Sequence, residues 1–406
     1  MNFLTLILIT RRIGESSMGH FSMIQSIVIL LSSLGLLGQN VSSTALTARF
    51  KKRYPNHLGL LIGNIYMLSG AVLILVGGVI FFSADRLFPE ISWDFFSGMA
   101  GTVFVILWMT AMTFDMIQVS ILIGLESYRD LVRTDTLKGL ISISLIYPLA
   151  VRYATAGIVV GYLVSCLMGV MMNQFFIRKN LRKLLITIRF MYSPGIISRI
   201  LNIGLPVFVA AIFISFATWL TNRMVFAEHN GAEALGMVFV CRQIMYVIQF
   251  FPVQISRVLL PVISDNRAVH NMKKVRITSV ITVFVISFIM AIAGIIFEKY
   301  VLMAFKVDAS LASWPYRIIL FTVIFSSVNM ILGQFVIAGK NPWIRAFADF
   351  LISTTMIGIT FLMKDNYLYT ALPWALLISF ILSDITLLFH IWGKSFSFKG
   401  LNNNYV

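Results

Sequence analysis

Few side chains in this sequence could do chemistry, and the most unusual are arginines set in apolar runs. The stretch from Val238 to Asp265 reads VFVCRQIMYVIQFFPVQISRVLLPVISD, with Arg242 and Arg257 on either side of Pro252. A guanidinium stays protonated at any physiological pH, so neither charge can be removed by losing a proton. Ionised groups inside a membrane span are rare, and they face an interior cavity or pair with one another. The spacing from 242 to 257 turns a helix about 60° beyond four full turns, which puts both arginines on broadly one face. They are about 22 Å apart along the axis. Two readings are open: both line a hydrated cationic pathway, or each snorkels to its nearer interface.

Other candidates are fewer and each has a plain alternative. Arg317 stands near Trp314 and Tyr316, so it is either an interfacial anchor or a ligand contact. Asp115 and Asp384 lie deep in apolar segments with no close partner in sequence. Each is either an ion-coupling group, for H+ or Na+, or the internal counter-ion of an arginine. Asp349 follows Arg345 by one helical turn, and a local ion pair accounts for it. Pro206 and Pro252 remove backbone donors and predict hinges, or kinks that packing tolerates. Gly157 and Gly161 form a small-x-x-x-small pair suited to close helix packing.

Enzymatic constellations are missing. GQFVIAGK, at 333–340, exceeds P-loop spacing, and Asn341 follows it where Ser or Thr is needed. The five histidines form no metal-ligand pattern, and Cys166 and Cys241 read as packed thiols. No catalytic residue, metal or cofactor is expected.

The elements that hold these residues follow from composition. Of 406 residues, 59% are hydrophobic and 12% charged, and the mean hydropathy is +0.90. Charged residues make up about a quarter of a soluble globular chain, and continuous apolar runs exclude the alternating strands of a β-barrel. The prediction is an all-α polytopic membrane protein of about twelve spans: Met1–Thr10, then 21–43, 58–82, 97–122, 138–152, 155–177, 200–221, 236–262, 277–297, 315–338, 343–363 and 370–392. The net charge of +16 is explained by loop topology, so no nucleic acid is implied. One alternating set of loops carries Arg49–Arg53, Arg129–Lys138, Arg178–Arg199, Arg267–Arg276, Lys340–Arg345 and Lys394–Lys399. The opposite set holds only Arg11, Arg12, Arg86, Arg152, Arg223, Lys299, Lys306 and Lys364. The bias puts the richer set and both termini in the cytoplasm. Met1–Thr10 would make a helix of only about 15 Å against a hydrocarbon core of about 30 Å, so a longer first helix starting upstream is expected.

The domain expectation is a six-helix lobe over 1–177, a basic linker over 178–199 and a second six-helix lobe with a short tail over 200–406. The linker composition also fits an amphipathic surface helix. Two echoes relate the lobes: GESSMGHFSMIQSI from Gly14 with GAEALGMVFVCRQI from Gly231, and QVSILIGLESYR from Gln118 with QFVIAGKNPWIR from Gln334. Copies of equal sidedness imply parallel repeats about the membrane normal, a design suited to alternating access at a central cavity.

RRIGESSMGHF after the first helix, GLESYR after the fourth, and IGLPVFVAAI followed by GAEALGMVFVCRQIMYVIQFFPVQISRVLLPVIS at the start of the second lobe carry a resemblance. In order and spacing they resemble the oligosaccharide-lipid flippases of the multidrug/oligosaccharidyl-lipid/polysaccharide exporter superfamily. The likeness spans nearly the whole chain, and the short first helix departs from it. It implies movement of undecaprenyl-pyrophosphate-linked repeat units across the bacterial inner membrane, for O-antigen lipopolysaccharide, capsule or exopolysaccharide. It also implies a polymerase and chain-length machinery as partners. Arg242, Arg257 and Arg317 would meet the pyrophosphate, because guanidinium matches phosphate bidentately. A cation-coupled multidrug exporter of the same superfamily is the alternative, and it should favour carboxylates in its cavity. A peptidoglycan-precursor flippase would bring additional helices, and a polysaccharide polymerase or ligase a large periplasmic loop.

Overall fold

The structure is a computed structural model that describes residues 3–87, 99–256, 272–338 and 341–393. Among the described residues the chain is helices and short connections, with no strand. The helices are α1 (Phe3–Leu36), α2 (Gln39–Arg53), α3 (Pro55–Leu87), α4 (Met99–Gly124), α5 (Tyr128–Lys183), α6 (Pro194–Phe226) and α7 (Gly231–Ile248). A helical run over 250–256 precedes α8 (Met272–Ile296), α9 (Glu298–Phe305), α10 (Ala309–Ala338), α11 (Pro342–Met363) and α12 (Leu368–Gly393). Ten of the helices are long and apolar enough to cross a membrane, and two of these ten are double. α1 is broken at Gly14, where φ is 81° and ψ is 174°. α5 is broken at Tyr153 and Ala154, the latter with φ 46°. Counting each arm gives twelve segments, with a division between 152 and 155 as expected; the expected span 21–43 is cut short by the turn after Leu36, and 257–262 of the span expected over 236–262 lies outside the described residues.

The α5 break is a tight reversal. A Cβ on Gly157 would collide with the carbonyl of Leu149, and one on Gly161 would sit 2.6 Å from Cγ1 of Ile146. Partners that approach from both sides of residue 153 mean that the two arms, 128–152 and 155–183, run antiparallel. Lipid supplies no hydrophobic drive between helices, so small residues that let backbones approach closely are what hold such a pair together.

The chain forms two compact units, Met1–Trp219 and Leu220–Val406. The boundary falls inside α6, the helix that the sequence reading places at the head of the second lobe. In the first unit α1 packs on α3, α4 and α5, and α2 packs on α3 and α4. Leu36, Leu46, Leu58, Ile117, Ile177 and Ile200 share its buried core. In the second unit α10 is central and touches α7, α8, α9, α11 and α12.

Three connections fix the first unit. Leu37 and Gly38 both have positive φ, 46° and 68°, which turns the chain sharply between α1 and α2. A Cβ on Gly38 would overlap the carbonyl of Gly204 on α6. Gly38→Ala is therefore expected to cost about 1–2 kcal/mol from the left-handed backbone alone, and displacement of α6 adds to that. Thermal unfolding of the purified protein checks it against Gly70→Ala, where the added methyl meets open space. The GLESYR turn is held by its acid: Glu126 lies 3.0 Å from Lys51 and 3.4 Å from Lys52. The Lys51 ammonium bonded to it holds its carboxyl below the usual carboxylate range. The third connection, in the expected linker, is not the surface helix that its composition also fits. α5 runs on to Lys183, and 186–193 is non-helical chain laid along α3. The Arg189 N–H donates to the Gly59 carbonyl at 3.1 Å. Asn64 donates to the Met191 carbonyl and accepts from the Ser193 N–H, each at 2.9 Å. Backbone groups that must find partners near lipid are satisfied by α3 in place of an internal helical ladder.

Candidate functional site

Half-buried and buried charges form a polar knot within each unit. In the first, Asp115 on α4 meets Lys138 on the first arm of α5 at 2.6 Å. Asn173 on the second arm donates to the other carboxylate oxygen at 2.9 Å. Asp115 is thus the counter-ion of a lysine that the charge pattern had assigned to a loop edge. The α5 hairpin brings the two together, since only folding back places 138 and 173 at one level.

The second unit builds its knot from α10, α11 and α12. Arg345 pairs with Asp349 one turn along α11, with Nη2 at 2.7 Å from Oδ1. Its Nη1 donates to the side-chain oxygen of Asn329 at 2.8 Å. Asn329 in turn donates to Asp384 at 2.9 Å and to Ser383 at 2.8 Å. The Arg345 charge thus serves one carboxylate directly and reaches a second through an amide. Asp384 is buried, and its Oδ2 has no donor.

The remaining sequence candidates of this unit do not converge. Arg317 on α10 donates from Nε to Glu298 at the start of α9, at 2.7 Å. Sequence gave no sign of that partner, nineteen residues earlier in a different helix. Arg242 sits half-buried on α7, and its Nη2 donates to the Tyr246 hydroxyl at 3.4 Å. Among the described residues no carboxylate lies within ion-pair distance of it. It follows Gly231, the first residue of α7, by about 16 Å of helix. That end of α7 adjoins a polar cluster in which Lys364 is bonded to both Glu228 and Asp365, and the Glu228 bond raises the lysine above its ordinary range. Arg257 lies outside the described residues.

The prolines differ. α6 is continuous through Pro206. On α7 the helix ends at Ile248 and turns at Gln249, one turn before Pro252, whose missing N–H leaves the Ile248 carbonyl without its helical donor. Gln249 is buried there and donates to Ser326 on α10 at 2.7 Å. Cys166 and Cys241 are thiols rather than a disulfide. Among the described residues no group of acids, histidines and cysteines could hold a metal ion.

The sequence profile of the family described as "Polysaccharide biosynthesis protein" matches residues 1–267. Curated protein sequences give no match. Solved structures match over nearly the full chain. One is the inward-facing conformation of a multidrug resistance MATE family transporter of the MOP superfamily. It is 13% identical with TM-score 0.73, over 96% of this chain and 94% of that one. Another is the eukaryotic MATE transporter AtDTX14, 12% identical with TM-score 0.67, over 97% and 95%. A third is a MOP superfamily transporter from Pyrococcus furiosus described by the reverse polarity of its binding pocket. It is 15% identical with TM-score 0.63, over 96% and 91%. At such identities the likeness is one of fold: a two-lobed helical architecture.

Proposed function

Because the chain belongs to the polysaccharide biosynthesis protein family, we propose that it flips polyprenyl-pyrophosphate-linked oligosaccharide across the bacterial inner membrane, by alternating access through a cationic cavity. The observation that carries this reading is Arg242. It is a fixed cation about three turns inside an apolar helix, with a tyrosine hydroxyl as its partner and no described carboxylate in reach. A pyrophosphate entering low dielectric loses its hydration, and a guanidinium returns charge and paired donors at the same point. At that depth snorkelling to the α7 N-terminus explains the arginine poorly.

Arg317 is a weaker contact, since Glu298 already meets its charge. Arg257 rests on sequence alone. The multidrug alternative needs available carboxylates, whereas Asp115, Asp349 and Asp384 are each engaged in a knot. Of the two coupling candidates, Asp384 keeps that role, because one of its oxygens lacks a donor and its cation is one amide away. The interrupted helix before Pro252 fits a hinge; continuous α6 gives Pro206 less claim to one. By the positive-inside rule the basic loops and both termini face the cytoplasm.

Hydrogen bonds to a charged group contribute about 1.5–3 kcal/mol. Arg242→Ala is therefore expected to lower export of surface polysaccharide about ten- to a hundredfold at matched protein level. Arg242→Lys should restore part of it. Undiminished export in the alanine variant would overturn the reading.

A further inference from the structure

A second polar site lies in the first unit, lined in part by Phe114 and Gln174, the chain neighbours of Asp115 and Asn173 in its knot. A pocket of about 380 Å³ opens between α3, α4 and the second arm of α5, with the extended chain at one side. Tyr66, Gln118, Gln174 and Arg178 supply its polar wall, and Phe114 and Phe190 its aromatic wall. The Tyr66 hydroxyl donates to the Gln174 side-chain oxygen at 2.8 Å, and the Gln118 amide donates to the same oxygen at 3.1 Å. That oxygen is then filled by two donors. The Gln118 side-chain oxygen has none, although the residue is only 3% exposed. A buried acceptor left without a donor costs about 1–3 kcal/mol, and a donor on an incoming molecule would remove that penalty.

Arg178 follows Gln174 by one turn and is exposed. Among the described residues it has no carboxylate partner, and Lys179, Arg182 and Lys183 continue the basic end of the helix. The pocket therefore asks for an anion carrying a hydroxyl. Its other edge asks for hydrocarbon. Met171 and Phe175 on α5 are 67% and 62% exposed, and Ile74 on α3 is 78% exposed. They form apolar stripes running from the pocket away from the basic end.

We infer that this pocket binds an anionic glycerophospholipid with a hydroxyl-bearing head group. The phosphate sits against Arg178, the head-group hydroxyl donates to Gln118, and the acyl chains follow the exposed stripes of α3 and α5. Basic residues at such a boundary favour anionic lipid, and phosphate contacts are a natural use of arginine. Phe190 belongs to the segment laid along α3, so an occupant also fastens that segment to the helix.

Native mass spectrometry of the full chain in detergent tests this, with phosphatidylglycerol, phosphatidic acid, phosphatidylethanolamine, polyprenyl pyrophosphate and inorganic phosphate as probes. Phosphatidylglycerol should be retained best. Arg178→Ala should weaken its retention about fivefold, the factor that a basic residue near a lipid surface supplies at about 1 kcal/mol. Gln118→Leu should abolish the preference for phosphatidylglycerol over phosphatidic acid, which lacks the hydroxyl. Arg178 is exposed, so its variant should fold, and the unfolding temperature of the lipid-stripped protein checks that. Equal retention of the zwitterionic lipid, an Arg178→Ala protein that retains lipid as before, competition by inorganic phosphate at equal concentration, or tighter retention of polyprenyl pyrophosphate would overturn the assignment. None of these readouts depends on export, so the proposal can fail while the flippase reading stands.

Discussion

Replacing Lys138 with Met is expected to destabilise the protein by about 3–5 kcal/mol, the range for stranding one partner of a buried ion pair. Purified protein should show it as a large drop in unfolding temperature. The Asp115 side chain is 14% exposed and that of Lys138 21%, so solvent cannot replace the lost ammonium. Asn173 then remains as a single amide donor to a full negative charge. Removing both charges should be far milder, since apolar or neutral replacements of a whole buried pair are often close to neutral. Asp115→Asn with Lys138→Met should therefore recover most of the loss. If the single variant is as stable as the parent, Asp115 is not held by Lys138 in the membrane-embedded protein. If the double variant is no better than the single, the lysine acts by packing across Gly169 rather than by charge.

The division into helices was legible because lipid imposes it. A span must be long and apolar, and its connections collect charge. Arg152 marked the turn of the α5 hairpin correctly even though no glycine stands at Tyr153 or Ala154. The local pair of Arg345 and Asp349 was legible for the same reason that makes it stable: four residues return to one face. What was hidden depends on chain reversal. Asp115 and Lys138 are 23 residues apart, on helices whose relative phase no single-chain pattern fixes, so the lysine read as a loop-edge cation. Arg317 looked available because Glu298 belongs to the short helix α9, which is too brief to register as a span. Arg242 is the opposite case. Sequence gave it two interfaces to choose from, and the α7 start at Gly231 sets its depth. The extended chain along α3 had no signature at all, since it bonds to α3 through its own backbone groups.

Exchanging the acid and the amide of the first knot should leave it nearly intact. The second unit also places an amide on α10, Asn329, and an acid on α12, Asp384, though its cation on α11 has a further acid, Asp349, one turn along. In the first unit the acid is on α4 and the amide on the second arm of α5, with the cation on the first arm. The Lys138 stem lies across Gly169, where a Cβ would meet its Cε at 2.8 Å and the Asp115 oxygen at 2.6 Å. Gly169 is one turn before Asn173, so the ammonium is within reach of an acid at either position. Asp115→Asn alone leaves the lysine with amides only. Asn173→Asp alone gives one ammonium two carboxylates. Each single change is expected to cost about 3 kcal/mol, the lower end for an uncompensated buried charge. The double exchange restores one acid, one amide and one base. The double exchange should cancel most of both losses, so the four-member cycle in thermal unfolding should show a favourable coupling of about 5 kcal/mol, beyond the up to about 3 kcal/mol by which contacting residues in one network usually couple. Additive losses would mean that the knot depends on the particular helix carrying the charge. Recovery would mean that the three helices of the first knot need one neutral set of hydrogen-bonding groups between them, and that either α4 or the second arm of α5 can contribute the acid.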